Sequence, residues 1–164
     1  KGSFGKQTLW SESTHVPLIF KLPGRKEKIK INQAVELLDV YPTLLDLTGL
    51  PENSYNEGQS LVPLFTQPED PSAVAITTYG KNNHSMINSR YRYIRYENGA
   101  EELYDLQNDP EERVNLSKFM GLDSVKKSMR SHLPKINVDW KHGSAYTIND
   151  YFTKTSKQSK KEKK

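Results

Sequence analysis

Between Ala73 and Tyr104 the chain reads AVAITTYGKNNHSMINSRYRYIRYENGAEELY, and this stretch limits the possible folds more than any other. β-Branched and aromatic residues come in short segments punctuated by glycine and asparagine, a strand pattern. Strands are expected within Ala73–Tyr79, at Ser85–Ile87, at Tyr91–Ile94 and at Leu103–Tyr104. The turn Glu97-Asn98-Gly99 carries the Asn-Gly pair that closes tight hairpins. The expected product is an antiparallel sheet of three or four strands. In YRYIRY, Tyr91, Tyr93 and Ile94 alternate with Arg92 and Arg95, which predicts one face left to water.

Two helices flank this sheet. In AVELLDVYPTLLDLTGL (34–50), Asp39 suits an N-cap, Pro42 suits a first turn, and Gly49 suits a C-terminal stop before Pro51. Val40, Leu44, Leu45 and Leu47 would form one apolar face able to pack on a sheet. The second helix, Leu122–Leu133, has Asp123 as its cap and ends before Pro134. Pro51–Gly58 is turn chemistry, Ser60–Phe65 a helical turn or two, and Gln67–Ser72 a linker. A further helical turn is expected after Asp109-Pro110, in EERVNL.

The chain opens KGSFGKQTLWSESTHVPLIFKLPG, which reads as a polar loop followed by a buried strand, Val16–Leu22. RKEKIKIN then reads as an exposed loop or hairpin leading into an edge strand. Near the other end, Trp140, Tyr146, Tyr151 and Phe152 are spaced as anchors of an extended strap, and Lys154–Lys164 has a disordered composition. With no initiator methionine and no signal peptide, the chain is read as the C-terminal part of a longer protein.

Composition removes several function classes. The absence of cysteine removes disulfides, thiolate metal sites and a cysteine nucleophile. No apolar run approaches the roughly 18 residues of a membrane span. The net charge of +4 resides in the last eleven residues, which hold six lysines and one glutamate; the other 153 carry 18 basic and 19 acidic groups. The body is therefore near neutral, and nucleic acid is disfavoured as a partner because its case rests on the tail alone.

Two residues stand out chemically. Lys6, between glycine and polar residues, is either a mobile ammonium suited to a sulfate or phosphate oxygen or an ordinary surface lysine. His84 follows a Gly-Lys-Asn-Asn turn at the head of a strand, so it is either ligand-facing or a sheet-edge histidine, with Lys81 beside it in both cases. His15, His132 and His142 suggest structural or no roles. Zinc spacing, a glycine-rich phosphate loop and a Gly-x-Ser-x-Gly elbow are all missing.

Four segments in order, GKQTLWSESTHVPLIFKLPG, VELLDVYPTLLDLTGLP, EGQSLVPLF and ENGAEELYDLQNDPEERVNL, resemble the C-terminal third of sulfatases. The iduronate-sulfatase-like and polysaccharide-sulfatase members of the alkaline-phosphatase-like superfamily are the most similar. The resemblance implies an α/β fold in which residues 1–67 finish a large mixed sheet of the catalytic domain. Residues 68–152 would form a smaller antiparallel-sheet subdomain with a packed helix, and 153–164 a lysine-rich tail. It implies a sulfuric ester hydrolase, periplasmic, secreted or lysosomal, acting on a sulfated glycan. The parent enzyme would use calcium and a formylglycine made within Cys/Ser-x-Pro-x-Arg, both supplied by a missing N-terminal portion. By the same resemblance Lys6 binds a sulfate oxygen, and His84, with Lys81 or Arg90, lines the sugar side. The alternatives are a non-catalytic polyanion-binding module, and a pseudo-sulfatase or phosphodiesterase relative.

Overall fold

A computed structural model describes residues 8–67 and 69–139. Lys6, the expected anchors from Trp140 to Phe152, and the Lys154–Lys164 tail lie outside the described residues. The architecture is α/β, with a four-stranded antiparallel sheet in the order β1-β2-β3-β4. The strands are β1 (Ala75–Thr78), β2 (His84–Ile87), β3 (Tyr91–Arg95) and β4 (Glu101–Asp105), with helices α1 (Ser11–Thr14), α2 (Val40–Thr48) and α3 (Asp123–Arg130). At the β3–β4 hairpin the Gly99 N–H bonds back to the Tyr96 carbonyl. Only Gly99 takes a left-handed φ, 89°, so the turn is wider than a two-residue Asn-Gly reversal.

Register separates the side chains into two faces. Ile76, Met86, Tyr93 and Leu103 stand opposite one another and point the same way. Met129 of α3 completes that cluster, with Val125 and Leu133 at its margin. Arg130 fastens the helix from the side: it forks onto Glu101 at 2.5 and 2.7 Å, and the Tyr93 hydroxyl donates to the same carboxylate at 2.6 Å. Burial, with Glu101 alongside, pushes the Tyr93 phenol up to about 12.

The other face is not wet. Leu9 and Trp10 lie across it with Ile94, Tyr96 and Tyr104, and Arg92 beneath them is 1% exposed. The alternation in YRYIRY therefore records two covered faces, one of them containing a buried cation.

Helix α2 forms as its sequence suggests and ends at Gly49, φ 67°, with the Leu50 N–H closing on the Leu45 carbonyl. Asp39 caps differently from expectation. Its carboxylate takes the Glu36 N–H at 2.8 Å and the Gln59 N–H at 2.9 Å, stapling the short 3-10 turn Leu37–Asp39 and the later loop to the helix start. The expected apolar face is only partly covered, since Leu44 remains exposed and Thr43 is the buried residue, donating to the Asp39 carbonyl.

Val16–Leu22 belongs to no strand, and Ile19 is 85% exposed. A strand needs a neighbour for its N–H and C=O groups, and the described residues offer none there. The RKEKIKIN stretch likewise feeds no edge strand. EERVNL turns rather than coils: the Glu112 N–H bonds to the Asp109 carbonyl, and Glu112 adopts φ 54°.

Gly58 lies so close to the 3-10 turn before α2 that an added Cβ would sit 2.2 Å from the Leu38 carbonyl oxygen. Because that obstacle is backbone, Gly58→Ala is expected to cost about 1–3 kcal/mol, read as a lower urea midpoint with an unchanged slope.

Candidate functional site

Two constellations bear on a site, one on the Leu9–Trp10 face of the sheet and one at the sheet end that carries His84. The first fixes the segment that begins at Thr8, two positions after Lys6. Arg92 reaches across the covered face: its Nη1 donates to the Leu9 carbonyl at 3.1 Å and to Ser85 Oγ at 2.7 Å, and its Nη2 to Ser11 Oγ at 3.1 Å. Its Nε meets Glu112 Oε1 at 2.5 Å, in a pair of which neither side chain is more than 1% exposed. Glu112 in turn accepts the Ser11 N–H at 3.0 Å and the Ser11 hydroxyl at 2.6 Å. Burial works to raise the Glu112 pKa, yet the Arg92 guanidinium and the Ser11 donors outweigh it and hold the carboxyl below its ordinary value.

Trp10 is fixed separately. Its indole N–H donates to Glu102 at 2.7 Å, and the Tyr104 and Tyr96 hydroxyls donate to the same carboxylate at 2.8 and 3.2 Å. Tyr79 packs against this cluster.

The second constellation is the β1–β2 loop that follows Tyr79. Gly80 and Asn82 both take left-handed φ values, 67° and 59°. Asn83 then stiffens the loop by donating to the Lys81 carbonyl at 2.9 Å and accepting the Glu97 N–H at 3.2 Å. Lys81 projects from it, half-exposed, and pairs with Asp139 at 2.9 Å.

His84 is 3% exposed, with both ring nitrogens engaged: Nδ1 to Thr78 Oγ1 at 2.9 Å and Nε2 to Asn137 Oδ1 at 2.6 Å. The Asn137 amide nitrogen donates to the Pro134 carbonyl, which turns its oxygen toward the ring. An amide oxygen only accepts, so Nε2 carries the proton and Nδ1 accepts from the Thr78 hydroxyl. Burial lowers the His84 pKa, against the opposing pull of the Asn137 bond, which fits the neutral ring.

Lys81 and His84 therefore share one end of the sheet. Arg90 stands at the other, beyond the far end of β2–β3, where its Nη2 meets Asp105 at 3.0 Å and its guanidinium lies 4.9 Å from the Tyr91 ring centre. A groove of about 840 Å³ beside Trp10 is lined by Glu12, Glu102 and Glu111 against Arg113, a balance that repels sulfate. Among the described residues no three His, Cys, Asp or Glu side chains gather as a metal site would require. The Arg92–Glu112–Ser11 and Glu102 networks escaped the sequence reading. Their one local sign was an arginine set among strand aromatics.

Residues 1–139 match the family profile described as N-sulphoglucosamine sulphohydrolase, C-terminal. The chain belongs to this family of C-terminal sulfatase domains. Its relatives include a Formosa agariphila sulfatase, 43% identical over 93% of this chain and 30% of its own length. Bovine arylsulfatase K is 30% identical over 82% of this chain and 29% of its own length. The chain thus spans under a third of the length of these relatives. A solved 2-O GAG sulfatase superposes with a TM-score of 0.50 at 24% identity, covering 76% of this chain and 26% of its own, a likeness of fold.

Proposed function

We propose that this chain is the C-terminal part of a sulfuric ester hydrolase that removes sulfate from a sulfated glycan. In this reading Lys6 holds a sulfate oxygen while Lys81 and His84 face the sugar. Leu9 and Trp10, just after Lys6, cover one face of the sheet, while His84, in register with Met86, lies on the α3 face at the sheet end that bears the Lys81 loop. The observation that carries the reading is the 43% identity to a sulfatase across most of the chain. A lysine ammonium aimed at a sulfate oxygen stabilises the charge that grows there as the ester bond breaks. His84, protonated on Nε2, can donate to a sugar hydroxyl or sulfate oxygen but cannot act there as a base. Arg90 has no part in the proposal, because Asp105 holds it at the far end of the sheet.

The described residues do not fit calcium, and the sequence offers no precursor of formylglycine. It contains no cysteine and no Ser-x-Pro-x-Arg, and the described acids do not converge. Both groups would belong to the rest of the polypeptide. A periplasmic, secreted or lysosomal setting belongs to the same proposal, and no described helix is long and apolar enough to cross a membrane.

Purified residues 1–164 are expected to release no sulfate from an aryl sulfate or a sulfated disaccharide. Joined behind the part of the Formosa sulfatase that this chain does not cover, they are expected to restore release. Turnover by the chain alone would overturn the division of labour. An inactive hybrid, with the Formosa enzyme active in the same assay, would overturn the assignment.

A further inference from the structure

The segment that follows α3 makes side-chain contacts out of keeping with a simple connector. From Pro134 to Asp139 it crosses the sheet end bearing the Lys81 loop, placing an amide oxygen on His84 Nε2 at 2.6 Å and a carboxylate on Lys81 Nζ at 2.9 Å. Its side of this contact is lightly held: Asp139 is 75% exposed, and among the described residues the Asn137 amide nitrogen is braced by the Pro134 carbonyl three positions earlier. The opposite side is stiff. The loop has two left-handed residues and is cross-tied by Asn83, and His84 is pinned from behind by Thr78.

We propose that Pro134–Asp139 is a displaceable internal ligand: Asn137 and Asp139 present to His84 and Lys81 the neutral and anionic oxygens that a sulfated sugar would present, and the sugar binds by displacing them. This rests on the reading of Lys81 and His84 as the sugar side. The chemistry of the mimicry is direct. A hydroxyl or ester oxygen accepts from Nε2–H as the Asn137 oxygen does, and a sulfate oxygen pairs with the ammonium as the Asp139 carboxylate does. Among the described residues, one neutral hydrogen bond and one exposed ion pair join the segment to the loop, so a ligand that replaces both bonds can remove it. The contact then discriminates. A sugar lacking either the acceptor oxygen or the charge replaces one bond, and the segment stays in place.

The test titrates a heparin-derived tetrasaccharide into the full 164-residue chain and into an Asn137→Ala/Asp139→Asn variant, at low salt, following the His84 ring and Asn137 side-chain amide by NMR. The variant is expected to bind about 5- to 30-fold more tightly. In the parent chain the Asn137 amide signal is expected to shift in step with His84. Asp139→Asn alone, at a largely exposed position that cannot endanger folding, should give part of the gain. If His84 and Lys81 respond to the sugar with equal affinity in all three chains and Asn137 is unmoved, the internal-ligand idea is wrong while the sugar-side reading stands. If neither His84 nor Lys81 responds in any chain, the sugar-side reading fails and takes the inference with it.

Discussion

Glu112→Ala is expected to lower the free energy of unfolding by about 3–5 kcal/mol, measured by urea denaturation, because it leaves the Arg92 guanidinium buried without its counter-charge. The same substitution orphans the Ser11 N–H and hydroxyl, so the loss includes the hold on the segment after Lys6. Arg92→Met/Glu112→Leu, which removes both charges, should recover much of the stability but not the bonds to Leu9 and Ser11. Glu112 also sits at φ 54°, where a side chain costs roughly 1–2 kcal/mol, so Glu112→Gly should lose less than Glu112→Ala. The pH dependence has a definite sign. A carboxyl held below its ordinary value of 4.5 contributes stability that is complete above that pH and fades as pH falls through the lower folded value. The parent chain should therefore weaken in acid below about pH 4.5 more steeply than the double variant.

Lys6→Ala, placed in the Formosa hybrid, is expected to reduce kcat by about 10²–10³-fold, as loss of one charge-stabilising donor at a developing oxyanion does. Lys6→Arg should recover part of the rate, since it keeps the charge but changes its geometry. Because Lys6 precedes the anchored segment, neither substitution should move the urea midpoint. A kcat within threefold of the parent would remove Lys6 from the reaction.

The parts of this fold visible in the sequence are those set by near neighbours. The strands show as β-branched and aromatic clusters between glycines, and α2 shows through Pro42, its leucines and Gly49, because each signal acts within a few residues. What stayed hidden depends on distant residues. Arg92 looks solvent-facing in its strand and is buried only because Leu9 and Trp10, more than 80 positions earlier, cover it. Glu112 looks helical in EERVNL, yet its role is to meet Arg92 and Ser11, and the turn follows from that. Val16–Leu22 has strand composition, but composition cannot supply a pairing partner. His84 could be singled out by position. Its burial and fixed tautomer depend on Asn137, 53 residues later.

The Ser11–Glu112 link has a consequence for the order of events in the cell. The two residues are 101 positions apart, and Trp10 and Glu102 are 92 apart. At ribosomal speeds of about 5–20 residues per second, Glu112 emerges roughly 5–20 s after Ser11. Until then the stretch next to Lys6 has no carboxylate to lock it and no finished sheet to lie on. Contacts this distant in sequence also close slowly after release. The stretch beside Lys6 is thus left unanchored for that interval, and its anchor is completed only by β4 and the turn that carries Glu112.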